Sequence, residues 1–310
     1  MIFNNIMTIF IGILLEAIPF ILLGSLISSF IQLFISENFI AKIIPKNIFL
    51  SLFFTSLLGI IFPVCECAII PITKKLINKG VPLSIAITFM LSVPIVNPIV
   101  IMSTYYAFAT NHSIFIFRTL FGILNSIIIG LIIHKTQKNY LLPIRDKEVS
   151  YYEKCTCGCD EVTFNNFSKI RLVLNHTTIE LFSVSKYLIF GAFISSLFKV
   201  LIPKEILTSF GRSPFLSIIV MIFLAFTLSV CSEADAFIAS TFLGKFTTGS
   251  ILSFLVLGPM LDIKNLLMLL GNFKVKFVIK LSLYILITTI ITTFLFNIIG
   301  GLQLWKDLIY

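Results

Sequence analysis

Hydrophobic residues fall in long blocks along this chain, and the polar positions between them are few and clustered. Residues 47–65, 83–117, 213–232 and 281–304 are free of charge, and residues 8–36 carry only Glu16. Because about 20 apolar residues cross a bilayer as a helix, each block is long enough to reach or approach a span. The pattern predicts membrane segments near residues 5–34, 47–64, 66–93, 97–111 and 114–134, with counterparts in the second half. The 83–117 block is long enough for a helical pair. The first block exceeds a secretory apolar core and is followed by no small-residue cleavage site, so it reads as a retained membrane helix.

The second half repeats features of the first in the same order. Gly24-Ser25-Leu26-Ile27-Ser28-Ser29-Phe30 returns as Gly191-Ala192-Phe193-Ile194-Ser195-Ser196-Leu197, and Val64-Cys65-Glu66 returns as Val230-Cys231-Ser232-Glu233. The run from Phe89 to Asn97, with Pro94 inside it, returns as Phe254 to Asp262, with Pro259 inside it. Repeats whose helices break at corresponding positions mark secondary transporters, with the solute site at the repeat interface near the midplane. The expected fold is an all-α polytopic membrane protein of about eight to ten transmembrane helices in two internal repeats. An odd number of spans per half makes the repeats inverted, with broken helices or re-entrant segments near the midplane. The domain division is residues 1–134, a loop at 135–175, and residues 176–310.

Composition agrees: 58% of the 310 residues are hydrophobic and 12% charged, which selects a membrane protein over a soluble one. The net charge of +9 lies on short loops such as Lys74, Lys75 and Lys79, or Lys274, Lys276 and Lys280. Charge so placed sets topology and meets anionic lipid, and it points away from nucleic acid. In the central loop the basic residues Lys135, Lys138, Arg145, Lys147, Lys154, Lys169 and Arg171 outnumber five acidic ones, so the positive-inside rule puts the loop in the cytoplasm.

Candidate chemistry gathers at the repeated motifs. In Pro63-Val64-Cys65-Glu66-Cys67-Ala68-Ile69-Ile70-Pro71, two thiols flank a carboxylate between helix-disrupting prolines. Broken backbone at membrane depth has to be satisfied by protein, water or solute, and so lines a cavity. Thiolates suit soft ions, carboxylates protons or harder cations. The second half offers Cys231, Glu233 and Asp235 after a charge-free run. Cys231 taken alone is read first as packing. The two acids either line the pathway or cap a helix at the bilayer edge. Pro94 with Asn97, and Pro259 with Asp262, form the other matched breaks; tight surface turns are the alternative reading.

Cys155, Cys157 and Cys159 alternate in the central loop beside Gly158, a short tract suited to capturing a soft metal or metalloid ion. A redox sensor is the alternative. No His stands at zinc-finger spacing, so a closed structural zinc site lacks a fourth ligand.

These motifs, P-V-C-E-C, then P-I-T-K-K-L-I-N-K-G-V-P, then F-M-L-S-V-P-I-V-N-P and the later S-E-A-D-A-F, resemble the bacterial predicted-permease family that includes the organoarsenical efflux permeases. The resemblance covers most of the chain. It implies a multi-pass inner-membrane permease, with one branch exporting trivalent organoarsenicals. Cys65, Cys67, Pro94, Asn97, Glu233 and Asp235 fall on the family's signature positions, whereas Glu66 departs from the residue usual between the two cysteines.

The resulting expectation is an efflux permease for a thiophilic solute, working by alternating access, with Glu66, Glu233 or Asp235 exchanging protons. A zinc-type divalent metal transporter is the runner-up. A membrane thiol oxidoreductase or hydrolase is disfavoured, because no H-E-x-x-H, G-x-S-x-G or C-x-x-C is present and His112, His134 and His176 stand without partners. A mere anchor for a soluble subunit has no use for matched broken helices. No cofactor is required, and the expected partners are the bilayer, a small solute or ion, and a second copy or accessory membrane protein.

Overall fold

A computed structural model describes residues 2–34, 45, 47–61, 64–109, 111–136, 166–201, 214–228 and 231–299. Among these residues the first half contributes α1 (Ile2–Phe34), α2 (Ile48–Leu57, continued by a 3-10 turn), α3 (Glu66–Asn78), α4 (Leu83–Val96), α5 (Pro98–Ala107) and α6 (Ser113–Thr136). The second half contributes α7 (Asn166–Leu201), α8 (Pro214–Leu228), α9 (Ser232–Ser240), α10 (Thr248–Met260), α11 (Ile263–Asn272) and α12 (Val275–Ile298). Among the described residues each half thus contributes six helices, with its two longest at its ends. The helix α7 begins inside the stretch expected to be loop.

Among the described residues six stretches are long and apolar enough to cross a membrane: Asn4–Ser29, Leu83–Ala107, Ser113–Thr136, Val173–Val200, Thr248–Asn272 and Val275–Ile298. Two shorter apolar helices, Ile48–Ile60 and Phe215–Leu228, bring the apolar segments among the described residues to eight. The expected segment at residues 66–93 is not one helix. It divides into α3 and α4 at Gly80, whose φ of 87° suits a residue without Cβ, and α9 is likewise followed by Gly244 at 77°. With 13 and 9 residues, α3 and α9 reach only about 20 and 14 Å, short of the roughly 30 Å of hydrocarbon.

The two 25-residue spans Leu83–Ala107 and Thr248–Asn272 are each broken just past the middle. Pro94 and Pro259 withhold a helical donor in the last turn before each break. Asn97 then restarts the first span by accepting from the Ile99 amide at 3.0 Å, and Asp262 restarts the second by accepting from the Asn265 amide at 2.6 Å. Both capping residues are buried, which rules out the surface-turn reading. The half-helices α4 and α10 are apolar all round and form the core.

Packing exchanges elements between the halves. The first-half α3 packs on the second-half α11, the second-half α9 packs on the first-half α5, and α1 lies along α7. Close approach is set by small residues. A Cβ on Gly24 would overlap that of Ala68 in α3, and one on Gly191 would sit 2.9 Å from the Lys264 Cα in α11. The repeated Gly-x-x-x-Ser-Ser motif is therefore an interhelical contact, and its Ser195 hydroxyl bonds the Leu228 carbonyl at 3.0 Å at the end of α8. Outward faces carry Leu15, Phe54, Phe190 and Ile287, a surface suited to hydrocarbon.

Candidate functional site

The site is assembled where the short helices α3 and α9 meet the two broken spans. Cys65 and Cys231 occupy equivalent positions, each with extended backbone immediately before its short helix. The first residues of those helices, Glu66 and Ser232, then face one another, and the Ser232 hydroxyl donates to Glu66 Oε2 at 3.1 Å. The other oxygen, Oε1, accepts from Lys264 Nζ at 3.3 Å, and Lys264 also pairs with Asp262 Oδ2 at 3.6 Å. Both Glu66 partners thus come from the opposite half.

A second cation makes the reciprocal crossing. Arg118 on α6 donates to Thr104 Oγ1 at 2.6 Å within its own half, and to the Ser232 carbonyl at 2.9 Å in the other. Ser232 is therefore the junction, its hydroxyl serving Glu66 and its carbonyl serving Arg118. Five charged side chains, Glu66, Arg118, Asp235, Asp262 and Lys264, are each at most 2% exposed. Charge buried at this depth persists only when paired or hydrogen-bonded, and marks ion or solute pathways in membrane proteins. Its position at the half-helix starts places carboxylates where the helix dipole favours them.

The thiols surround this cluster. Cys65, Cys67 and Cys231 are buried and free of disulfides. The Cys65 and Cys67 thiols are close neighbours, and Cys67 and Cys231 are electrostatic neighbours of Lys264 and Glu66. Among the described residues no three His, Cys, Asp or Glu side chains converge to hold a metal ion. What the arrangement offers is an occluded ionic core flanked by soft sulfur and built jointly by both halves.

The family described as "Predicted permease" matches residues 2–298. The chain belongs to that family. It is 46% identical over 286 residues to the UPF0718 protein YcgR of Bacillus subtilis, covering 92% of this chain and 94% of the relative. It is 38% identical over 275 residues to a Streptococcus mutans protein named "Putative two-component membrane permease complex subunit", covering 88% of this chain and 89% of that one. No solved structure matches. Family and relatives together make this a multi-pass membrane permease, a transporter rather than an enzyme.

Of the residues singled out by sequence, the permease brings Cys65, Glu66, Cys67, Cys231, Asp235 and Asp262 to one region, with Pro94, Asn97 and Pro259 at the breaks beside it. Asp235 is buried rather than a cap at the bilayer edge, while Glu233 is half-buried, with Arg118 as its main attractive charge. Cys155, Cys157 and Cys159 lie outside the described residues. Sequence reasoning missed Arg118, Lys264 and Asn265. Arg118 lies inside the expected 114–134 segment, where a lone cation in an apolar run was the available signal, and it is fully buried. Lys264 stands two residues after Asp262, and that adjacency of opposite charges in an apolar setting was the available signal.

Proposed function

We propose that this permease exports a thiophilic solute, a trivalent organoarsenical or a related soft metal or metalloid, by alternating access between its halves. The observation that carries the reading is the pairing of Glu66 with Ser232 and Lys264 across the halves, with Cys65, Cys67 and Cys231 around it. Thiols bind soft centres, and a carboxylate in the same core exchanges protons as the site opens and closes. A proton on Glu66 weakens its attraction for Lys264, loosening the two halves where they are joined. This links proton uptake to the change of access. The positive central loop supports a cytoplasmic position for Cys155, Cys157 and Cys159, which would receive the solute before transport. The name of the Streptococcus relative supports an accessory membrane subunit as partner.

Accumulation of methylarsenite, inorganic arsenite and zinc in efflux-deficient bacterial cells tests the reading. Cells making the protein should retain less methylarsenite, and the Cys65→Ser, Cys67→Ser double variant should abolish the difference. Unchanged accumulation of all three, with the protein demonstrated in the membrane, would refute soft-solute export.

A further inference from the structure

We propose that the break between α10 and α11 binds a small alkali cation, of which sodium is the probe of choice, with Asp235 and Asn265 as its side-chain ligands. The inference extends the permease reading by naming an ion, and it holds whichever solute is carried.

The buried charges do not balance. Glu66, Asp235 and Asp262 are set against Lys264 and Arg118, all at most 2% exposed, and the half-buried Glu233 draws on Arg118 as well, which leaves at least one negative charge over. Lys264 is committed to Glu66 and Asp262. Arg118 hydrogen-bonds Thr104 and the Ser232 carbonyl, and Asp235 Oδ2 has no hydrogen-bond partner among the described residues. The deficit of the fully buried groups alone is met by one monovalent cation.

Geometry locates the ion. The Asp235 carboxylate occupies the space a side chain at Gly258 would fill, with Oδ2 2.7 Å from the Cβ position there. It therefore lies against the backbone of the last turn of α10. Asn265, buried in the first turn of α11, directs its amide nitrogen toward the Pro259 carbonyl at 3.5 Å, while its Oδ1 has no partner among the described residues. Two buried oxygen acceptors from different helices thus flank the Gly258-Pro259 break. The C-terminal end of α10, where the Leu257 carbonyl is capped by the Leu261 amide at 2.7 Å, brings the negative end of that helix dipole to the same break. Carboxylate, amide and carbonyl oxygens select hard cations over soft ones. Unwound backbone and half-helix C-termini serve this purpose in secondary transporters generally. The first-half positions that match Asp235 and Asn265 in the sequence repeat are Ile69 and Val100, which offer no side-chain oxygen, so the ion site belongs to the second break alone.

The test is thermal unfolding of the purified full-length protein in detergent, in sodium, potassium or choline chloride at equal ionic strength and without any thiophilic solute. Wild type should show a saturable rise in melting temperature of about 2–4 °C or more in an alkali salt relative to choline. Asp235→Asn and Asn265→Ala should each remove that rise. Equal melting in all three salts overturns the site and leaves a proton as the charge that Asp235 carries. A rise that survives in both variants places the ion elsewhere and overturns the assignment. If Asp235→Asn does not fold, the wild-type salt series and Asn265→Ala decide. Because no solute enters the assay, its failure is separable from failure of the export reading.

Discussion

Lys264 is the residue on which the buried charge depends most. It is fully enclosed, and removing it leaves Glu66 and Asp262 facing each other without their cation. Breaking such a pair by deleting one partner typically costs about 3–5 kcal/mol, because the remaining charge stays desolvated. Lys264→Met is therefore expected to lower stability by that order, measured by denaturation of the purified protein. Adding Glu66→Gln should recover part of the loss, and a double variant no better than the single one would count against direct pairing. Arg118 makes a different demand. Its two terminal nitrogens reach Thr104 and the Ser232 carbonyl at once, a fork that a lysine cannot reproduce. Arg118→Lys should lose about 1.5–3 kcal/mol despite keeping the charge, and equal stability would show that charge alone suffices.

At the scale of elements, the broken spans depend on their caps. Asn97 and Asp262 each accept from an amide in the first turn of the following half-helix. Replacing such a cap by alanine typically costs about 0.5–2 kcal/mol. Asp262→Ala should cost more than Asn97→Ala, because Asp262 also pairs with Lys264, whereas Asp262→Asn should keep the cap and lose only the pair. Ranking the three by melting temperature checks this, and an Asn97→Ala loss equal to that of Asp262→Ala would contradict it. Helix contacts respond to bulk instead. Gly24 packs directly on Ala68, while Gly12 on the same helix has nothing within 4 Å of its Cβ position. Gly24→Val should abolish recovery of folded protein and Gly12→Val should leave it unchanged, as read by gel filtration of detergent extracts.

At the scale of the molecule, the halves are interdependent. Each short helix packs on a half-span from the opposite half, α3 on α11 and α9 on α5, and the ionic core is complete only when both are present. A chain divided between α6 and α7 should therefore yield two fragments that are degraded singly and co-purify when made together. Stable recovery of either fragment alone would show that the halves are independent. The same interlock suits alternating access, since motion of one half against the other must rearrange the contacts of Glu66, Ser232 and Arg118.

The sequence by itself determined the solvent, the helical class, the order of elements and the two matched breaks. These follow from local chemistry: apolar runs must close their backbone hydrogen bonds as helices in lipid, and a proline followed three residues on by a capping Asn97 or Asp262 interrupts and restarts a helix. The loss of a continuous helix at residues 66–93 was also written locally, in Gly80. Which charges meet was decided only by the tertiary structure. Glu66 finds Ser232 at a separation of 166 residues and Lys264 at 198. A lysine or arginine next to an apolar run looks the same in sequence whether it snorkels to the interface or turns inward. Only the packing of α11 against α3 and of α9 against α5 fixes the inward choice, because it supplies the partners that make burial of Lys264 and Arg118 sustainable.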